Sequence, residues 1–390
     1  MKKSGDVFLA WSDEPWIVDG AAVRVSIVGQ DDGTELDRSL NGVPAKVIRS
    51  DLSGGDEVAV DVTTAKPLIE NRNIAFQGDS KGGSFELDAQ TARSMLVAPP
   101  NVNQRPNSEV IVPWINGNDV VRRPQDRFII DFADLSEREA AQYELPFEHV
   151  RKHVLPVRVE NRRAGRRDRW WRHAEIAVSM RAALAGSPRF LVTPRVAKWR
   201  LFIWAAAPTL PDTRLVAVCR PDDYVLGLLQ SRVHEIWSLR TGGWHGVGND
   251  PQYTPTSSFE TFPFPWPLNT PDEALTEEQA GHRDAIGAAA KALDEARQRW
   301  LNPPELVRLE PDVIPSLPLR FVPVSEEAAK QLAKRTLTNL YNQRPAWLDH
   351  LHRDLDRAVF AAYGWPDDIE EEEMLRRLLA LNLERAEAQA

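Results

Sequence analysis

Alternation of apolar and polar side chains marks the first element of the chain. From Ala21 to Val28, "AAVRVSIV" puts Ala21, Val23, Val25 and Ile27 on one face and Arg24 and Ser26 on the other, the period of a half-buried strand. It follows closely on Met1 and the turn-like "SDEPW". With so little before it to pair with, the segment is expected to be the tail of a larger sheet. Residues 30 to 56 are polar and rich in Gly and Asp, and "GSFELDAQTARSMLVAPPN" and "VIVPWINGNDVV" predict short mixed elements broken by Pro and Gly. "AEIAVSMRAAL" then predicts a helix, and "RFLVTPRV", "LFIWAAA" and "RLVAVCR" predict the strands of a small sheet. In "DDYVLGLLQSRVHEIWSLR" the residues Leu226, Leu229, Val233 and Trp237 recur three and four apart. That spacing predicts one helix with an apolar stripe, capped by Asp222 and Asp223. "TGGWHGVGND" is a glycine-rich loop, and "FPFPWP" can continue neither a helix nor a central strand. A boundary therefore falls near Pro267. Beyond it Ile286, Ala289, Leu293, Ala296 and Trp300, then Leu348, Leu351, Leu355 and Val359, repeat with helical spacing, so residues 275 to 385 are expected to be largely helical. The fold class is α+β, with a mixed, loop-rich domain carrying a small sheet over 35–267 and a mainly helical domain over 268–390.

Bulk composition narrows the setting. The 390 residues are 42% hydrophobic and 27% charged, enough apolar material to fill real cores. Cys219 is the only cysteine, which excludes an internal disulfide and a Cys-rich zinc site and suits a reducing compartment, with cytoplasm as the default. The amino-terminal "MKKSGDVFLAW" has no apolar stretch of signal-peptide length, and the longest apolar run, "LFIWAAA", is far too short to span a bilayer. No membrane association is expected.

Charge is where the sequence departs from the ordinary. Between Arg151 and Arg172 there are nine Lys or Arg against two acids, a balance of +7 in a chain whose net charge is -9. An island of that sign against an acidic background concentrates attraction for a polyanion at one place. Its centre reads "PVRVENRRAGRRDRWWRH". Guanidinium forks match phosphate oxygens, and Trp170 and Trp171 offer flat faces for bases or for guanidinium stacking, so Arg158, Arg162, Arg163, Arg166, Arg167, Arg169 and Arg172 fit a nucleic-acid backbone. The competing reading is a charged surface paired with the acidic remainder, but dense Arg with few interleaved acids is poorly explained that way.

Other motifs carry less. "WLNPPEL" has Glu305 where an Asn-Pro-Pro-aromatic motif needs a ring to stack on an extruded base, and it follows a helical stretch rather than a strand, so it reads as a helix stop. "GWHGVG" has a glycine spacing but precedes prolines instead of a helix, which disfavours a cofactor loop and leaves a mobile loop reaching a ligand. His234 has no second His at i+4 and reads as a packed residue, and no metal ligand or catalytic residue is assigned. Thirteen Trp and the acids Asp13, Glu14, Asp222 and Asp223 raise a carbohydrate-active enzyme, but adjacent acids do not face each other across a cleft. A protein-interaction scaffold without DNA binding, built on the C-terminal helices and the Pro-rich segment, is the main alternative.

Six motifs in order, "AWSDEPWIVDGAAVRVSIVG", "WINGNDVVRRPQDRFIIDF", "YELPFEHVRKHVLPVRVENRR", "YVLGLLQSRVHEIWSLR", "YTPTSSFETFPFP" and "LYNQRPAWLDHLHRDLDRAVFAAYGWP", together resemble the C-terminal half of the MmeI-like DNA methyltransferases. The resemblance covers nearly the whole chain. It implies adenine-N6 methylation in a restriction-modification setting, with residues 1–34 as the last strands of the methyltransferase domain, 35–267 as the target-recognition domain and 268–390 as the C-terminal domain. It also implies double-stranded DNA as the partner. Family members carry upstream an S-adenosyl-L-methionine loop and an Asn-Pro-Pro-aromatic motif that this sequence lacks before its first strand, so the resemblance implies either a truncated gene product or a subunit completed by a separate catalytic methyltransferase chain, with S-adenosyl-L-methionine bound in the complete enzyme and not by this chain. Under this reading the arginine island grips phosphates, while Arg195, Lys198 and Arg200, or side chains near Arg232, Arg240 and His245, touch base edges.

Overall fold

The opening alternation does form a strand, and it belongs to a sheet of four. In the computed structural model, which describes residues 5–18, 21–48, 52, 60–245 and 250–389, β1 (Asp6–Val18) and β2 (Ala21–Asp31) make a long antiparallel hairpin. Strand β3 (Arg38–Leu40) joins β1 in parallel and β4 (Val43–Ala45) closes the sheet. Among the described residues Val7, Ala10 and Ile48 form its buried core. Trp16, Ile17, Val18, Ile27 and Val28 stay exposed, Ile17 by 74%. Exposed apolar side chains therefore gather on this hairpin.

A second sheet comprises β5 (Ala75–Gln77), β9 (Arg189–Pro194), β10 (Ile203–Ala206) and β12 (Leu215–Val218), in the order β10-β9-β12-β5 and antiparallel throughout. Both of its faces are covered. Phe190, Val192, Leu215 and Ala217 point into one core, whereas Leu191, Val216 and Val218 point into another. That is why these strands read as continuous apolar runs instead of alternating. A third sheet, β11-β7-β8-β6, is built from β6 (Glu86–Leu87), β7 (Ile111–Ile115), β8 (Arg127–Ile130) and β11 (Leu210–Pro211). Two-stranded pairs complete the inventory, β13 (Trp244–His245) with β14 (Asp250–Pro251) and β15 (Val307–Glu310) with β16 (Arg320–Pro323).

Around the sheets lie α1 (Ala89–Leu96), α2 (Gly117–Val121), α3 (Glu137–Ala140), α4 (Glu144–His153), α5 (Leu155–Arg158), α6 (Ala164–Arg167) and α7 (Val178–Leu184). The helix predicted from "AEIAVSMRAAL" is thus confined to its second half. The single helix predicted from "DDYVLGLLQSRVHEIWSLR" is two, α8 (Asp223–Gln230) and α9 (Arg232–Thr241). Ser231 breaks it by acting as the C-cap of one and the N-cap of the other, its hydroxyl donating to the Leu228 carbonyl at 2.7 Å and accepting from the His234 amide. Serine competes with the helical backbone in this way wherever its side chain is offered an orphan amide. Asp222 caps α8 through the Val225 amide at 3.0 Å.

The C-terminal segment is largely helical as expected: α10 (Glu277–Leu301), α11 (Glu326–Ala333), α12 (Leu337–Gln343), α13 (Ala346–Ala362) and α14 (Glu371–Ala388). Helix α10 stops at Leu301, just before Asn302-Pro303-Pro304. These helices share a core with the residues before Pro267: Leu226, Leu229 and Val233 are buried together with Ile286, Leu293, Leu355 and Leu378. The architecture is α+β, and among the described residues no helix is long and apolar enough to cross a membrane.

Candidate nucleic-acid interface

The arginine island folds as two short helices and a turn, α5, α6 and the segment that leads to Trp171. Its side chains divide by direction. Arg158 is 1% exposed; it donates to the carbonyls of Arg166 at 3.1 Å, Lys81 at 2.9 Å and Arg172 at 3.3 Å. Burial, then the neighbouring Arg166, lowers its pKa from the ordinary guanidinium value. The expectation that Arg158 grips phosphate is therefore corrected: it staples the island to the body of the protein. The two tryptophans go inward as well, 8% and 7% exposed, with Trp170 against Phe147 at 5.3 Å and the Trp171 indole N–H donating to the Leu135 carbonyl at 2.9 Å. They are core, and no base can stack on them. Arg172 is half-buried, its Nε donating to the Leu135 carbonyl at 3.0 Å, and it too serves the fold.

Arg162, Arg163, Arg167 and Arg169 point to solvent. Arg163 is 69% exposed and stands 3.9 Å from Glu175, Arg166 is half-buried and pairs with Glu175 at 3.0 Å, and Arg167 pairs with Asp168 at 3.1 Å. Both acids are themselves exposed, and such surface pairs are each worth about 0–1 kcal/mol. Five guanidinium groups against three exposed carboxylates, Glu160, Asp168 and Glu175, leave a positive surplus that a phosphate can recruit at little cost.

The second set of expected contacts is less uniform. Arg200 is buried and donates to Thr193 Oγ1 at 3.0 Å and to the carbonyls of Pro194 and Pro251, its guanidinium lying 5.0 Å from the centre of the Tyr253 ring. Burial pushes its pKa down to about 10. Base contact by Arg200 is thus corrected to a clamp that ties the end of β9 to β14. Arg240, in the last turn of α9, is half-buried and faces Glu372 at 3.6 Å and Glu371 at 4.0 Å on α14. Lys198 is exposed; its ammonium donates to Asn342 Oδ1 at 3.0 Å and lies over Trp199. Arg232 is exposed and Arg195 half-buried. His245 lies on β13, but its side chain and the glycine-loop residues 246–249 lie outside the described residues. His234 is a packed residue, hydrogen-bonded to the Tyr253 hydroxyl at 2.9 Å, and burial lowers its pKa to about 3.

Backbone pairing connects the two sets. Glu175 bridges Ser80, Asp79 bridges Asp212, the Arg195 amide donates to the Arg214 carbonyl at 2.8 Å, and Val196 bridges Gln252. Beneath the track, Asp79 is fully buried and accepts from His173, Arg181 and the Ala177 amide. Burial pushes its carboxyl up, but those hydrogen bonds outweigh it and hold the pKa below the ordinary range.

On the track sits Arg214, which the sequence reading missed. Its side chain is 63% exposed and paired with Asp212 at 2.8 Å. A lone arginine in "PDTRLV" has no local charge density to draw the eye. Only the pairing of β12 with β9 brings it beside Arg195.

The family model described as the MmeI target recognition domain matches residues 57–266. No curated protein matches the chain. Among solved structures it is similar to the type IIL restriction-modification enzyme MmeI in complex with DNA, with a TM-score of 0.67 and 16% sequence identity over 99% of this chain and 47% of that chain. The chain thus spans about half the length of the structure it matches.

Proposed function

The chain belongs to the MmeI target-recognition-domain family, and from that premise we propose that it is the DNA-reading portion of an adenine-N6 methyltransferase in a restriction-modification system. The observation that carries the proposal is the outward group Arg162, Arg163, Arg167 and Arg169, on the segment that leads to Glu175, from which backbone pairings run to Arg214, Arg195 and Gln252. Labour divides along that track. The outward arginines and Arg166 hold phosphates without regard to sequence, while Arg195, Lys198, Arg214, Arg232 and His245, on or beside the segments at its far end, read bases. Arg158, Arg172 and Arg200 hold these surfaces in place.

Chemistry requires a second component, another polypeptide or a further part of this one. It supplies the S-adenosyl-L-methionine pocket and the residues that hold an extruded adenine. The uncovered apolar side chains of the β1–β2 hairpin, Trp16, Ile17 and Val18 among them, give that component a surface to pack on. Cytoplasm is the compartment in which both would meet DNA. Mixing the isolated chain with S-adenosyl-L-methionine and duplex DNA is expected to give binding without methyl transfer, and addition of the catalytic component to restore transfer. Turnover by the chain alone would overturn the division. A stable protein complex with no duplex affinity would return the molecule to an interaction scaffold.

A further inference from the structure

Helix α4 carries a side-chain pair that the reading above does not use. Phe147, Val150 and the following Val154 are buried in the core, which fixes the rotation of α4 and turns the sequence "HVRKH" so that His149 is half-buried and His153 exposed. Residues four apart share one helix face. Their ring centroids are 4.5 Å apart with an interplanar angle of 41°. Two nitrogens bound to one tetrahedral ion at about 2.0–2.1 Å each lie about 3.3 Å apart, a spacing that two histidines at i and i+4 on one helix face are able to present.

We propose that His149 and His153 form a chelating site for a borderline divalent metal of the zinc, nickel and copper class. Neutral imidazole is the ligand form. Hard ions that demand oxygen, magnesium and calcium, have nothing to bind here. Among the described residues no group of three or more His, Cys, Asp or Glu is placed to hold a metal. The protein therefore contributes two ligands and water fills the remaining positions. Order of affinity follows ligand softness and the ordinary series for nitrogen sites, copper above nickel and zinc, with manganese weak.

Calorimetric titration of the intact chain with copper(II) or nickel(II) salts tests this without DNA, so its outcome is independent of the DNA-reading proposal. One ion is expected per chain at this site, with nitrogen hyperfine coupling in the copper spectrum. His153→Ala, an exposed position, and His149→Gln are each expected to weaken binding about tenfold or more. His282→Ala and His350→Ala, at other histidines, are expected to leave it unchanged. Unaltered far-ultraviolet dichroism and melting temperature of the metal-free variants separate loss of a ligand from loss of the fold. Either His149→Gln or His153→Ala binding copper as the parent does, or magnesium displacing it at equal concentration, would overturn the assignment. Should His149→Gln fail to fold, broadening of both imidazole proton signals of the parent by substoichiometric copper decides the matter, and broadening of neither would sink it.

Discussion

Replacing Arg158 by Met tests whether the buried arginine of the island belongs to the fold or to the ligand surface. Its guanidinium donates to three main-chain carbonyls, those of Arg166, Lys81 and Arg172. Hydrogen bonds to a charged group contribute about 1.5–3 kcal/mol each. The Met side chain restores most of the volume but none of the donors. At the low end of that range three such bonds amount to about 4.5 kcal/mol, a large part of the 5–15 kcal/mol of a typical domain. Urea unfolding followed by tryptophan fluorescence reads this directly, since Trp170 and Trp171 sit in the same buried cluster. Arg163→Ala, with its side chain 69% exposed, is expected within about 0.5 kcal/mol of the parent in the same assay. If Arg158→Met costs under about 1 kcal/mol, or Arg163→Ala costs as much as Arg158→Met, the assignment of inward and outward arginines is wrong.

Further expectations concern acids and the clamp. Burial raises the pKa of Asp356 to about 6, so the folded state prefers its proton; the associated stability is complete below about pH 4 and lost as pH rises to 6. Asp356→Asn keeps an acceptor for the Arg232 amide, held at 2.7 Å in the parent, and is expected to gain up to about 3 kcal/mol at pH 7, from roughly two units at 1.36 kcal/mol each, seen as a flat melting temperature between pH 4.5 and 7. Asp79 has the opposite sign: its carboxyl is held low, so its contribution is present above about pH 4 and lost as acid protonates it, and Asp79→Asn should remove that part of the acid transition in a pH-dependent melting series. Arg200→Met, which cuts the link between Pro194 and Pro251, is expected to lower discrimination between specific and unrelated duplexes at least tenfold while leaving the salt dependence of binding unchanged; an altered salt slope would make Arg200 a phosphate contact after all.

How much the sequence discloses depends on whether a property is local. Helical spacing in Leu348, Leu355 and Val359 announces a buried face, and all three are buried on α13. The apolar runs of β9 and β12 announce strands but not that both faces are covered, since a short apolar run looks the same in a buried helix segment. Ser231 ends one helix and begins the next without disturbing the apolar stripe, so periodicity runs straight through the break. The island was legible as charge and illegible as direction. Arg158 and Arg163 are five residues apart in one basic stretch, and nothing in their spacing tells which one the carbonyls of Lys81 and Arg172 will capture. Trp170 and Trp171 suit a base-stacking surface as well as a core until Phe147 and the Leu135 carbonyl are brought beside them. Arg214 depends wholly on strand pairing, which no local pattern encodes.

The most direct measurement compares the parent with the Arg162→Ala, Arg163→Ala, Arg167→Ala, Arg169→Ala variant in duplex binding at salt concentrations from about 50 to 200 mM. Each phosphate contact contributes about 0.9 to the slope of log affinity against log salt. Loss of four outward guanidinium groups should flatten that slope by about 3.6 and weaken binding to every duplex alike. A variant that binds with the parent's slope would mean that this surface is not where the protein holds DNA.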